Sequence, residues 1–142
     1  MAAERIEAER VVAASPEAVF GFLSDLDNHW KLTGRWIEAV SLADANGRVR
    51  IHGPLGLRRT ARTSVVDASP SHVIHGTAEL SGGTRARVAW ELNEDAGGTA
   101  VRLSAEVEHA ALPDRLLLAL GGRAWMTRRF DKILARLDEQ FG

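Results

Sequence analysis

Cysteine and tyrosine are both missing from this chain, proline occurs four times, and only Lys31 and Lys132 among its 18 basic residues are lysine. Without cysteine there are no disulfides, no thiolate nucleophile and no sulfur-ligated zinc site. Without tyrosine no phenol is available as acid, base or hydrogen-bond donor. No apolar run approaches the roughly 20 residues that a membrane-spanning helix needs. Met1 to Arg10 is charged and lacks the apolar centre of a secretion signal. A cytoplasmic protein with no integral membrane segment is the expectation. Neither sign of charge dominates, since 18 basic and 19 acidic residues leave a formal net charge of -1. Nucleic acid is therefore not an expected partner, because its binders carry a basic excess. The preference for arginine, beside abundant alanine, matches the usage of a GC-rich genome.

What is present reads as a single domain over residues 1–142, long enough to bury a core without staples. Ile6 to Ala14 alternates loosely and suits a strand. Ser15-Pro16-Glu17 has the marks of a helix start: an N-cap hydroxyl, proline in the first turn and an acid at the positive helix end. Val19, Phe22, Leu23 and Leu26 recur at helical spacing, which predicts a helix over 16–26. A second short helix follows to Thr33, carrying Trp30 and Leu32, and Gly34 stops it. From Arg35 to His109 the texture is β. Trp36 to Leu42 predicts a strand, Asn46-Gly47 a hairpin turn, and Arg48 to Gly53 the answering strand. Gly53-Pro54-Leu55-Gly56 marks a bend. Strands are expected over Arg59 to Val66 and His72 to Leu80, separated by a turn at Asp67 to Pro70. After Ser81-Gly82-Gly83, residues Thr84, Ala86, Val88, Trp90 and Leu92 face one way and Arg85, Arg87 and Glu91 the other. Asn93 to Gly98 turns. Val101, Leu103, Ala105 and Val107 then point inward, opposite Arg102, Glu106 and Glu108. Pro113-Asp114 opens the longest helix, which runs to Phe141. On its wheel Leu116, Leu120, Thr127, Phe130, Leu134, Leu137 and Phe141 form one stripe. Gly121-Gly122 interrupts it and implies a kink or a close backbone approach.

The resulting fold class is α+β, a helix-grip: a curved antiparallel sheet of about seven strands, ordered β-α-α-β-β-β-β-β-β-α, wrapped on a long C-terminal helix. One helix cannot fill a strongly curved sheet, so such a grip encloses a cavity. The sequence resembles the START-like, or SRPBCC, helix-grip superfamily, and within it the bacterial polyketide cyclase/dehydrase-like branch. The resemblance rests on Val12 to Phe20, on Leu23-Ser24-Asp25 and Trp30, on Val65 to Pro70, on Gly98-Thr99 and on the helix ending in Leu134 to Leu137. It covers nearly the whole chain. It implies binding of a hydrophobic lipid-, sterol- or polyketide-like ligand between the sheet and the C-terminal helix. Two alternatives stay open. One is a cyclase, aromatase or dehydratase acting on a polyketide. The other is an accessory, membrane-recruitment protein like the accessory subunit of carbon monoxide dehydrogenase. No catalytic motif of the branch transfers residue by residue.

Three residues are candidates for chemistry. Arg123 lies on the wheel between Phe130 and Leu116, where a buried guanidinium would need an anionic or carbonyl partner. The alternative is that the glycines rotate this turn, or that Arg123 snorkels to the rim. His109 continues the inward parity of Val101 to Val107 and could serve as a general base near neutrality. A strand-end histidine at the surface is the alternative. Thr127 sits one turn beyond Arg123. Trp30 and Trp36 flank the position where the family's pocket mouth would lie. With Val88, Trp90, Leu103, Leu116, Leu120, Arg123 and Thr127 they form the expected ligand-binding set. Trp125 lies opposite the apolar stripe, which suggests an oligomer or membrane contact, and a homodimer is one reading. Arg58, Arg59, Arg62, Arg85 and Arg87 read as a solvated outer sheet face balanced by Glu79, Glu91 and Glu106. No metal or cofactor is expected: no histidine pair has ligand spacing on a helix, and His72 and His75 point to opposite strand faces.

Overall fold

The structure is a computed structural model that describes residues 4–33, 36–43, 46–52, 58–69, 72–80 and 82–141. Strand β1 (Glu4–Val12) is followed by helices α1 (Pro16–Leu23) and α2 (Leu26–Thr33). Six strands come next: β2 (Ile37–Ala43), β3 (Asn46–His52), β4 (Arg58–Ser69), β5 (Val73–Leu80), β6 (Arg85–Asp95) and β7 (Gly98–His109). The C-terminal element has three parts: α3 (Leu112–Leu117), a π turn over Leu118–Gly122, and α4 (Arg123–Phe141). All seven strands join one antiparallel sheet in the order β1-β7-β6-β5-β4-β3-β2, so the helix-grip expectation holds.

Local chemistry explains most element boundaries. The Ser15 hydroxyl accepts from the Ala18 N–H at 3.2 Å and Pro16 enters the first turn, so α1 starts where its cap residues predict. It stops at Leu23, short of the expected residue 26, with the Ser24 N–H and hydroxyl both donating to the Phe20 carbonyl, and Leu26 belongs to α2. Ala43 pairs with Asn46, so residues 44–45, outside the described residues, connect β2 to β3 and Asn46-Gly47 opens a strand instead of a turn. The bend expected at Gly53 to Gly56 and the helix stop at Gly34 also fall outside the described residues. The turn expected from Asp67 is replaced by strand: β4 continues to Ser69 by absorbing a bulge between Val65 and Asp67. The β6–β7 turn is shorter than expected, with Asp95 pairing Gly98. Gly98 takes φ 136°, and a Cβ there would collide with the Val12 carbonyl, so only glycine lets β7 start against the end of β1.

The core fills one end of the grip. Val12, Val19, Leu23, Leu32, Leu92, Val101, Leu134 and Leu137 are fully buried where α1, α2 and the C-terminal half of α4 lie on the sheet. Each such aliphatic side chain contributes about 1.5–3 kcal/mol relative to exposure. Arg10 ties β1 to α4 through Asp138 at 3.2 Å. At the other end the C-terminal element breaks. Gly121 adopts φ 112° and Leu120 leaves helical geometry at φ -97°, ψ 24°. A Cβ on Gly122 would lie 2.5 Å from the Leu117 carbonyl. The diglycine thus supplies both the kink and the close approach. The non-helical backbone at Leu120 and Gly121 ends one helical segment and starts another, so the residues before the break do not keep the phase of α4. Phe130, Ile133, Leu134 and Leu137 of α4 stay buried, while Leu116 and Leu120 are turned out to solvent at 54% and 83% exposure. The continuous stripe expected over both halves is therefore corrected.

Candidate functional site

Between the broken end of the C-terminal element and the sheet lies a cavity of about 400 Å³. Its floor is the alternating face of the strands: Ala61 and Val65 of β4, Ile74 and Ala78 of β5, Ala86 and Val88 of β6, Leu103 and Ala105 of β7. Small residues facing inward on adjacent strands leave the space that a single helix cannot fill. Its roof comes from Leu117 and Leu118, Trp125, Met126 and Phe130, and its side from His29 and Trp36. Trp36 meets Trp125 edge to face, with centroids 5.5 Å apart and planes at 89°. The Arg129 guanidinium stands 4.9 Å from the Trp125 ring centroid. Trp125, expected outside, is thus half-buried and cavity-facing: the cavity wall takes in the flank of α4 that carries Trp125 and Met126, beside Phe130 and Ile133.

Polar groups enter this apolar space at two places. At one, Arg59 Nη1 and the Thr84 hydroxyl donate to separate oxygens of Asp114, a buried side chain at the start of α3. Thr84 in turn accepts from the Ala111 N–H at 3.1 Å. A carboxylate so placed needs both partners to repay its desolvation. At the other, the His29 ring packs edge to face on Trp90 at 5.6 Å, and its Nε2 lies 2.6 Å from the Leu23 carbonyl. A carbonyl only accepts, so Nε2 carries the hydrogen. Burial holds the His29 pKa below 6.5, against smaller opposing effects of the Leu23 carbonyl and the Asp25 charge. The imidazole is therefore neutral at pH 7. Hydroxyls of Thr33, Thr63, Ser64 and Thr77 also line the cavity among its apolar walls.

The expected site residues divide. Trp36, Val88, Trp90 and Leu103 come together on the cavity wall. The Trp30 side chain is outside the described residues. Leu116 and Leu120 are exposed, and Leu117 and Leu118 take their places at the wall. Arg123 is also exposed; its Nη2 donates to the Arg5 carbonyl at 2.9 Å, on the edge of β1. The Thr127 hydroxyl donates to the Arg123 carbonyl at 2.9 Å, one turn back along its own helix. His109 faces solvent. Arg85 pairs with His109 and Ala86 with Val107, so Glu108 is an extra residue that flips the parity of everything after it. Neither Arg123, Thr127 nor His109 lines the cavity.

Of the ionisable wall residues, His29 and Asp114 had no site role in the sequence reading, and Arg59, read there as part of the solvated outer face, is corrected to the cavity wall. Arg59 shares the inward parity of Ala61 and Val65, a signal that its charge masks in any reading of β4 as a basic outer strand. Arg85 does lie outside, 3.9 Å from Glu79, and Arg87 lies 3.3 Å from Glu108. Among the described residues, no three His, Asp or Glu side chains group as metal ligands, and no helix is long and apolar enough to cross a membrane.

A curved sheet gripping a broken helix over an apolar cavity defines the class: a helix-grip protein with an internal ligand-sized chamber. The chain belongs to the polyketide cyclase/dehydrase and lipid transport family, whose sequence profile matches residues 3–142. Solved structures share the fold. Protein TTHA0849 of Thermus thermophilus superposes with a TM-score of 0.69 at 20% identity, over 97% of both chains. Protein Ms6760 of Mycobacterium smegmatis gives 0.71 at 14% identity, over 97% of this chain and 89% of its own. DynU16, from the dynemicin biosynthetic locus, gives 0.62 at 14% identity over 95% of this chain, which spans 46% of that longer protein. No curated protein matches the sequence.

Proposed function

We propose that this protein binds a small, predominantly apolar ligand, lipid- or polyketide-like, between the sheet and the C-terminal element. The cavity carries the proposal. Its volume of about 400 Å³ falls within the range of roughly 300–1,000 Å³ typical of ligand pockets. Apolar walls with a few fixed polar groups are the usual composition of such sites. The family's description, which couples polyketide chemistry with lipid transport, supports the same class of ligand. Trp36, Val88, Trp90 and Leu103 are the contact residues from the expected set, joined by Leu117, Leu118 and Trp125.

A catalytic reading of the cyclase or dehydratase type has one observation in its favour. A neutral imidazole at His29 and a guanidinium at Arg59 face one apolar space, where a proton acceptor and a hydrogen-bond donor to a carbonyl would both work.

The test is binding of N-phenyl-1-naphthylamine, a neutral fluorescent probe, with native mass spectrometry of the protein as purified. Saturable 1:1 binding is expected, weakened at least tenfold by Ala86→Phe, which fills the floor. No probe binding, together with a mass spectrum free of any small molecule, would sink the proposal.

A further inference from the structure

A single helical segment closes the cavity here, and its outer side is unlike the rest of the surface. Four large apolar side chains are exposed among the described residues, and three of them, Leu112 (61%), Leu116 (54%) and Leu120 (83%), lie along α3 and the π turn. Arg115 and Arg128 are exposed on the same stretch, while Arg123 turns to the edge of β1, where it donates to the Arg5 carbonyl. The stretch 112–130 contains one acid, Asp114, and that carboxylate is buried against Arg59 and Thr84. Along 112–122 the outer side thus offers solvent leucine and arginine and no exposed acid, and the first exposed acid beyond it is Asp131, one turn after Arg128. Its inner side, through Leu117, Leu118 and Gly122, faces the cavity.

We infer that this segment docks on the surface of an anionic lipid bilayer, lying in the interface plane with Leu112, Leu116 and Leu120 among the acyl chains. Three observations favour a bilayer over other occupants. Leucine beside arginine, with acids excluded, is the composition of an interfacial helix: leucine enters the acyl boundary and arginine meets lipid phosphate. A protein partner of ordinary kind would be met by aromatic anchors, and Trp125, the aromatic residue nearest, is turned inward to the cavity. A second copy of the chain would be related by a two-fold axis and would bring the arginines of this face against their own equivalents. The docking stands apart from the ligand proposal; its use in passing ligand between bilayer and cavity rests on that proposal.

Co-sedimentation with vesicles tests it. Wild-type protein is expected to bind vesicles of phosphatidylcholine and phosphatidylglycerol at 7:3, to bind pure phosphatidylcholine much more weakly, and to lose affinity as salt rises. Leu116→Ser/Leu120→Ser should reduce binding at least tenfold with unchanged thermal unfolding and unchanged naphthylamine binding, since both side chains are exposed. Arg115→Glu should reduce binding to the anionic vesicles and leave the weak neutral binding as it is. Absence of wild-type binding to either vesicle, or full binding by the double-serine variant, overturns the inference. So does a dimer in light scattering that the same two serines dissociate, which would assign the face to a second copy. Because probe binding is measured on the same samples, failure of the docking is told apart from failure of the cavity proposal.

Discussion

Removing the Asp114 carboxylate is the most informative single perturbation. In Asp114→Ala, Arg59 loses its anion, Thr84 loses its acceptor, and α3 loses its polar tie to the sheet. Breaking a buried ion pair from one side costs about 3–5 kcal/mol, because the remaining charge stays desolvated. Here the two side chains keep 25% and 12% of their exposure, so water can partly reach Arg59. That moves the expected cost to about 2–3 kcal/mol. A 142-residue chain unfolds with an entropy near 0.3 kcal/mol per kelvin, so Tm should fall by roughly 7–10 °C. The uncompensated cation supplies most of that cost. Adding Arg59→Met to the same background should therefore restore about 1–2 kcal/mol, although Arg59→Met alone destabilises. Thermal unfolding of the wild type, both single variants and the double variant by circular dichroism closes the cycle. Hydrogen exchange should show the amides from Ala111 through Leu118 opening faster in Asp114→Ala. If the two single effects add to within about 0.5 kcal/mol, the groups are not coupled and the reasoning fails.

Three further outcomes concern His29, two glycines and Thr84. His29 has a folded pKa below 6.5, so between that value and 6.5 the unfolded chain holds more protons. Its contribution is complete above pH 6.5 and is lost as pH falls toward the folded pKa; denaturant unfolding from pH 7 to 5 should show this decline, and His29→Phe should flatten it. An unchanged slope in the variant would show that another group titrates. Gly98 and Gly121 share a positive φ but differ in space: a Cβ at Gly98 meets the Val12 carbonyl, and at Gly121 it meets nothing within 4 Å. Gly98→Ala should cost about 3 kcal/mol or more and Gly121→Ala about 1 kcal/mol, as read from denaturant midpoints; equal costs would remove the steric argument. Replacing Thr84 by Val keeps the shape but strips the Asp114 and Ala111 contacts, and should cost about 1–3 kcal/mol in the same assay.

Period-two alternation made β6 and β7 legible, because one face is buried along nearly their whole length: Trp90, Leu92, Val101, Leu103 and Ala105 are all buried as their parity requires. The start of α1 was legible because its cap is local, set by Ser15 and Pro16 alone. What sequence could not show depends on one residue out of phase. The bulge at Glu108 turns His109 outward, and the break at Leu120 and Gly121 turns Leu116 and Leu120 away from the places a straight helix assigns them. Neither is visible in a wheel or an alternation count, since both devices assume a constant period. The Arg59–Asp114 contact joins residues far apart in the chain, and only the closing of α3 over β4 brings them together. His29 sits in a short helix with little periodicity, where nothing local announces that it will face Trp90.

The pairing of the first strand with the last also has a consequence in time. Val12 pairs with Thr99 and Glu4 with Val107, while β2 to β6 are each placed beside a neighbour in sequence. As ribosomes add about 5–20 residues per second, β1 waits roughly 5–20 s for its partner to be made. During synthesis it is a lone strand with Ile6, Ala8 and Val12 uncovered. Arg5, Glu7, Glu9 and Arg10 stand between those residues and are exposed in the finished fold. Before β7 exists, the same charges disfavour pairing of β1 with a neighbouring nascent chain. The charges interleaved with the first strand's apolar residues thus disfavour aggregation while that strand waits for β7.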